Sequence, residues 1–282
     1  MVGALGLSLL ALVQARDSAY DRYALRLEHG PGSTGVVRGI HAEPVGGGIF
    51  VPKVDLFATA DDSVRRQYIA SRASFKRYTV LGGLAIAGVV GTMVYYSNHL
   101  HQDWNAPIGI GLPVATIAVG WAGAASATGG DDHLRRAIWL YNRHFQRTPA
   151  SATADCPYSR CALRVQPGAW SSQIVRGAAG APVGSLGARV DLLAAANDSA
   201  KRHYEAFRAA YARAHVARHF GLAAYLTAGA LFAITQNKVA HGFGIGFLVL
   251  GFAAAHGSVY TTAQAESELD RAVWFYNGSL PP

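Results

Sequence analysis

Cysteine is nearly missing from this 282-residue chain, and charge is scarce: Lys, Arg, Asp and Glu together make up 15% of it, against about a quarter in ordinary globular domains. Nor is there a nucleophile-elbow G-x-S-x-G, an H-E-x-x-H, a Walker lysine loop or a paired-carboxylate motif, so the usual hydrolytic, metalloprotease and NTPase chemistries have no sequence basis. The chain reads as non-catalytic. Four long stretches contain no charge at all: 80–96, 108–127, 220–235 and 242–255. Ion-coupled transporters usually place ionisable groups inside such stretches, so their absence argues against transport by a charged relay.

The two cysteines are Cys156 and Cys161. In an exported protein they form a disulfide closing a small loop, and in a reducing compartment they stay free thiols. A metal site would need further Cys or His ligands nearby, which the local sequence does not supply. The formal net charge of +8 and pI of about 9.7 raise nucleic acid as a partner. However, the basic residues flank the apolar stretches rather than forming one cluster, and no nucleic-acid module is present. Arginines beside anionic lipid headgroups explain the balance more simply.

What the chain does contain is a duplication. Leu134-Arg135-Arg136-Ala137-Ile138-Trp139-Leu140-Tyr141-Asn142 returns as Leu269-Asp270-Arg271-Ala272-Val273-Trp274-Phe275-Tyr276-Asn277. Upstream, Tyr20 to Arg26 matches Tyr158 to Arg164, Val36-Val37-Arg38-Gly39 matches Ile174-Val175-Arg176-Gly177, and Pro44-Val45-Gly46 matches Pro182-Val183-Gly184. The order is kept throughout, which marks two tandem repeats. Unit 1 spans 16–145, a linker 146–154, and unit 2 155–282. Residues 1–15 precede the repeat, carry a short apolar core and a small-residue Val13-Gln14-Ala15 end, and read as a signal peptide although no Lys or Arg precedes that core.

Each unit opens with strand patterns. Tyr23 to Glu28 alternates apolar and polar, Gly30 to Ser33 is turn chemistry, Val36-Val37-Arg38 is a second strand, Gly46-Gly47-Gly48 a break, and Ile49 to Phe57 a further strand. Gly30-Pro31-Gly32-Ser33-Thr34-Gly35 fits G-x-G-x-x-G, but a strand follows it, so no helix N-terminus waits for a pyrophosphate. An amphipathic helix comes next, with Asp61 or Asp62 and Asp198 as candidate N-caps. It carries the stripe Val64, Tyr68, Ser71, Phe75 in unit 1 and Ala200, Tyr204, Phe207, Tyr211 in unit 2.

The uncharged stretches pair into a hairpin in each unit, and small residues four apart (Ala87 with Gly91, Gly120 with Ala124, Ala224 with Ala228, Gly242 with Gly246) favour close helix contact. The expected fold class is therefore an α+β membrane protein. Each of its two tandem repeats holds a small β segment, an amphipathic helix, a transmembrane helical hairpin and a closing helix. Four transmembrane helices result, at about 80–96, 108–127, 220–235 and 242–258. The export signal places the soluble segments outside the cytoplasm, in the periplasm, whereas flanking arginines vote for the cytoplasmic side.

Trp139, Tyr141, Trp274 and Tyr276 read as interface or anchor residues, with the closing helix packing on the basic helix of its own unit. His256, in a small-residue surface, is the only cofactor-ligand candidate; its counterpart is Ala125, and a histidine simply hydrogen-bonded in the bundle accounts for it, so no cofactor or metal is expected. His99, His101 and Asp103 form a weak surface metal candidate or a polar loop. The functional expectation is a structural or accessory subunit docking with other membrane protein subunits and the lipid bilayer, as in a respiratory, photosynthetic or envelope assembly. The alternative is a small transporter or lipid-handling protein built from parallel repeats, which requires a cavity between the units.

Overall fold

The computed structural model describes residues 19–30, 33–48, 53–99, 106–145, 156–168, 172–234 and 238–280. A short helix α1 (Ala19–Tyr23) leads into strands β1 (Leu25–Gly30), β2 (Ser33–Arg38), β3 (Glu43–Gly48) and β4 (Lys53–Val54). Helices α2 (Asp62–His99) and α3 (Ala106–Asn142) follow. The second unit repeats the plan with α4 (Tyr158–Cys161), β5 (Leu163–Gln166), β6 (Gln173–Arg176), β7 (Ala181–Ser185), α5 (Asp191–Ala194), α6 (Asp198–Ile234) and α7 (Lys238–Gly278). Both sheets are antiparallel meanders, ordered β1-β2-β3-β4 and β5-β6-β7. A register irregularity falls at the same place in each, between Val36 and Val37 and between Ile174 and Val175.

The long helices change the expected architecture. The amphipathic helix and first hairpin helix of unit 1 are one continuous helix of 38 residues, about 57 Å at 1.5 Å per residue. The second hairpin helix and the closing helix are likewise one, 37 residues long in unit 1 and 41 in unit 2. No proline stands between the basic and apolar halves, and the glycine pairs Gly82-Gly83 and Gly129-Gly130 lie inside the helices without ending them. Each repeat is thus a small sheet laid against the basal half of a helical hairpin whose distal half projects as an arm.

Among the described residues, no helix is long and apolar enough to cross a membrane. That overturns the four transmembrane helices, the membrane fold class and the multi-pass membrane location. The physical reason lies in composition: a stretch can be free of charge without being strongly hydrophobic. Gly82, Gly83, Ala85, Ala87, Gly88 and Gly91 dilute the first stretch, and small residues gain little on transfer into hydrocarbon. In a helix hairpin they serve close packing instead. A Cβ added at Gly88 would sit 3.1 Å from Thr116 Cγ2, and one at Gly130 would press on the Phe75 ring at 3.0 Å. Ala224 and Ala228 are buried in the second hairpin.

Two smaller expectations also change. Gly46-Gly47-Gly48 is not a break but the end of β3, where close approach demands glycine: a Cβ on Gly47 would lie 3.0 Å from Thr34 O and 3.1 Å from Gly35 Cα. The stretch Ile49 to Phe57 pairs only at Lys53–Val54 and then turns into a 3-10 helix, Asp55–Phe57; residues 49–52 lie outside the described residues. So do the leader at 1–15 and the whole of the linker at 146–154. The cap of α2 is Asp61, whose Oδ1 accepts from Val64 N at 3.0 Å. The cap of α6 is Asn197 rather than Asp198, accepting from Ala200 N at 2.9 Å.

Each unit has its own core. In unit 1, Leu25, Leu27 and Val36 of the sheet meet Val64, Tyr68, Leu134 and Ile138 of the hairpin. In unit 2, Leu163, Val165 and Ile174 meet Tyr204, Phe207, Leu269 and Val273. The same tyrosine ties sheet to helix in each: Val54 N–H donates to Tyr68 Oη (2.8 Å) and Val190 N–H to Tyr204 Oη (2.6 Å). The turn after the second strand is equally repeated. Gly39 and Gly177 hold φ of +66° and +70°, and a Cβ on either would lie 2.7 Å from a backbone carbonyl of α1 or α4.

Candidate functional site

The repeated Trp-Tyr-Asn segment does three separate jobs. The Asn142 side chain accepts from Leu25 N–H and donates to Leu25 O, both at 2.7 Å. Asn277 repeats this on Leu163 at 2.7 and 2.8 Å. One buried amide therefore satisfies the unpaired edge of each sheet, an obligation the backbone cannot otherwise meet away from water. Tyr141 packs inward within its own unit, with its ring edge-on to Phe57 at 5.8 Å, and Tyr276 packs on the unit 2 core. The tryptophans cross over. Trp274 lies 5.2 Å from the Tyr20 ring of unit 1, and Trp139 lies 5.3 Å from Tyr158 of unit 2. These four aromatics, with Ala24 and Ala162, form a third core between the repeats.

The polar face of β1 meets this junction instead of solvent, which is why Arg26 is buried beside Leu25 and Leu27. Its guanidinium donates to Gly39 O at 2.6 Å and stands 5.2 Å from the centre of the Trp274 ring. Beside it lies a cluster of charges. Arg135 and Asp270 occupy the same position of the repeated segment in the two units, and they pair across the junction. Arg135 also bonds Asp131 at 2.7 Å, one helical turn back. Asp270 reaches His29 Nε2 at 3.1 Å, and the other ring nitrogen of His29 stands 3.8 Å from Glu266. Glu28 extends the network through Arg271 (2.9 Å) to Glu268 (3.2 Å) and His203 (2.7 Å).

Burial and charge oppose one another here. Desolvation works against the charge of Arg135, yet Asp131 and Asp270 overcome it and raise its pKa. Burial also disfavours the Asp270 carboxylate, but Arg135 and His29 outweigh it and the pKa falls. For His29, burial acts downward while the hydrogen bond and charge of Asp270 act upward and prevail. Glu266 goes the other way: desolvation raises its pKa against the pull of His29 and Arg135. It is also the member most open to solvent, with 38% of its side-chain surface exposed.

Above the cluster the hairpins leave a cleft of about 460 Å³ lined by His29, Phe75, Tyr78, Arg218, Thr262 and Glu266. A second opening of about 450 Å³ lies beyond the β1 end, against Tyr260, Gln264 and Arg271. Within the head the space between repeats is only about 50 Å³, room for a water or two. The arms themselves present large apolar side chains outward: Val80, Leu84, Ile86 and Ile117 on one, Phe220, Leu222, Leu226 and Phe243 on the other.

Two hydroxyls meet His29 at the cluster, and Thr34 Oγ1 stands 3.5 Å from its Nδ1. Ser267 Oγ is engaged with the backbone of His29, accepting from its N–H at 2.7 Å and bonding its carbonyl at 3.1 Å, so it does not address the imidazole. Among the described residues no group of three or more His, Cys, Asp or Glu could hold a metal. Cys156 and Cys161 form a disulfide with Cα atoms 5.7 Å apart, fastening the turn of α4 ahead of β5. His256 lies within α7, but its side chain is outside the described residues, as are those of His99 and His101 and the whole of Asp103.

Sequence reasoning passed over Arg135, Asp270, His29 and Glu266. One signal pointed to them: the closing segments match closely, yet at one position Arg in unit 1 stands against Asp in unit 2. Reversed charge at equivalent positions is what two repeats need where they face each other across a symmetry axis. No family model matches the chain, and no curated protein or solved structure matches it either.

Proposed function

We propose that the protein is a non-catalytic accessory subunit: a rigid head of two fused repeats that presents two helical arms to other protein subunits of a larger assembly. The observation that carries this is the apolar surface of the arms. Leu84 is 57% exposed and Leu226 67%, and neighbouring valines, isoleucines and phenylalanines are similarly uncovered. Contiguous apolar surface beyond a few hundred Å² marks an interaction site in a water-facing protein. Each such side chain contributes about 1.5–3 kcal/mol when fully buried, so a handful of contacts on two arms supports stable association even after the cost of ordering both partners. The head, by contrast, pairs its β1 and β5 edges with Asn142 and Asn277 and buries a core in each unit.

A photo-crosslinking residue placed at Leu84 and at Leu226, with Lys201 on the head as control, tests this in the native host. The expected result is one recurring protein crosslinked from both arms and not from the control position. If neither arm captures a recurring protein, the docking reading is wrong. A second reading, handling of a small apolar ligand, is favoured by the cleft of about 460 Å³ between the hairpins, which is the size of ordinary ligand pockets. It predicts that a bulky Ala263→Trp substitution at the cleft removes a copurifying small molecule without disturbing arm crosslinks.

A further inference from the structure

The face of α6 that carries Tyr204, Phe207 and Tyr211 continues past the edge of the core as His215 and His219. Tyr204 and Phe207 are buried; the two histidines, one and two turns beyond Tyr211, are exposed. Their rings meet edge-to-face with centroids 4.2 Å apart, and their Nε2 atoms stand 3.2 Å from each other. Tyr211 flanks the His215 ring at 6.4 Å. The spacing of four on a helix brings the two side chains to one face.

Two imidazole nitrogens 3.2 Å apart on successive helical turns supply the two donors of a bidentate set. With metal–nitrogen distances of about 2.0–2.1 Å, two ligands stand about 2.9 Å apart at a right angle and about 3.3 Å apart at the tetrahedral angle. The observed 3.2 Å lies between them. Without a metal, one Nε2 must carry the hydrogen that the other accepts. With a metal, both lone pairs point at the ion and each ring keeps its proton on Nδ1, so no net proton need leave a neutral pair.

We propose that His215 and His219 chelate a divalent transition-metal ion of the copper–zinc class, its remaining positions filled by water or by a donor from outside the chain. The site belongs to the second arm alone: in unit 1 the corresponding residues on α2 are Thr79 and Gly83, neither of which offers a nitrogen. Arg213 and Arg218 on the same helix add positive charge nearby, so the site needs a metal that bonds imidazole strongly rather than one held by charge. Calcium and magnesium, which take oxygen ligands, are excluded on that ground. Copper should bind more tightly than zinc, and zinc more tightly than manganese.

Calorimetric titration of the full-length protein with CuCl2, ZnCl2 and MnCl2 in a non-chelating buffer tests the site. One equivalent should bind saturably at neutral pH in that order, and binding should weaken on acidification as protons compete. His215→Ala and His219→Ala should each raise Kd at least tenfold while leaving thermal unfolding without metal unchanged, since both rings are exposed. A His99→Ala/His101→Ala double variant should bind as the parent does. The proposal is overturned if the parent shows no saturable binding, if the single variants bind like the parent, or if affinity is lost in the His99/His101 variant instead.

Discussion

Removing Asp270 tests most directly what joins the two repeats. Asp270→Ala leaves Arg135, whose side chain is 6% exposed, with Asp131 as its remaining hydrogen-bonded carboxylate, and strips His29 Nε2 of its carboxylate partner. Breaking a buried ion pair by deleting one member costs about 3–5 kcal/mol, because the survivor stays desolvated. At about 2–4 °C per kcal/mol for chains of 150–250 residues, that corresponds to a fall in Tm of roughly 6–20 °C. Arg135→Ala should cost a similar amount, since it removes the guanidinium that Asp131 and Asp270 share.

The pseudo-symmetry sharpens this prediction. Arg135 has Asp131 one turn before it, and Asp270 has Glu266 in the same relation. The exchange Arg135→Asp with Asp270→Arg would therefore give the new arginine a carboxylate at its own previous turn, a mirror of the present arrangement. We expect the exchanged protein to be more stable than its two single changes summed, by a coupling of about 2–3 kcal/mol between the two sites. Recovery should be incomplete, because His29 belongs to unit 1 only and would then face a guanidinium. Urea titration followed by Trp139 and Trp274 fluorescence reads all four proteins, since both indoles lie in the junction. An Asp270→Ala cost below about 1 kcal/mol, or an exchanged protein as unstable as the two single variants summed, would falsify the junction as described.

Three further outcomes can be measured the same way. His29 has a folded-state pKa above its usual 6.5, so its stabilisation is complete below that pH and is lost as pH rises through the folded value; Glu266, also raised above 4.5, loses its contribution as pH climbs from acid. Asp270, lowered from 3.8, contributes above that value and loses its share as pH falls. The urea midpoint should accordingly decline from pH 6 towards pH 9, and His29→Gln should flatten that decline. Asn142→Leu or Asn277→Leu leaves one buried N–H and one carbonyl unpaired at a sheet edge, at about 1–3 kcal/mol for each group, and should abolish hydrogen-exchange protection of the Leu25 or Leu163 amide. Reduction of Cys156–Cys161, which closes a loop of sequence separation 5, should cost about 2 kcal/mol by chain entropy, seen as a lower midpoint in dithiothreitol.

The duplication was legible because it is written in residue identities that do the same work twice. Asn142 and Asn277 each close a strand edge, Gly39 and Gly177 each turn with positive φ, and Tyr68 and Tyr204 each bind the backbone ahead of their helix. The packing of the closing segment on the basic segment of its own hairpin also followed from periodicity. What periodicity could not give is which face of a strand the other repeat covers. Arg26 alternates with Leu25 and Leu27 as a solvent-facing residue should, yet it is buried under unit 2. The uncharged stretches differ from the expectation for another reason: lack of charge does not amount to hydrophobic strength, and the glycines and alanines that lower it are the residues the hairpins need for close contact.

The junction also explains why the two arms need not be equivalent. Two identical repeats facing each other across an axis would set Arg against Arg, or Asp against Asp, a repulsion of several kcal/mol in a desolvated site. Arg135 opposite Asp270 removes it and fixes which unit takes which place, while Tyr20–Trp274 and Tyr158–Trp139 supply the contacts that stay symmetric. Once the chain depends on that asymmetry, selection acts on each arm separately. Unit 2 can carry His215 and His219 where unit 1 has Thr79 and Gly83, and unit 1 can direct His29 into the cleft where unit 2 has Pro167. Fusion of the repeats is thus what permits a head of near-symmetric construction to present two chemically different arms.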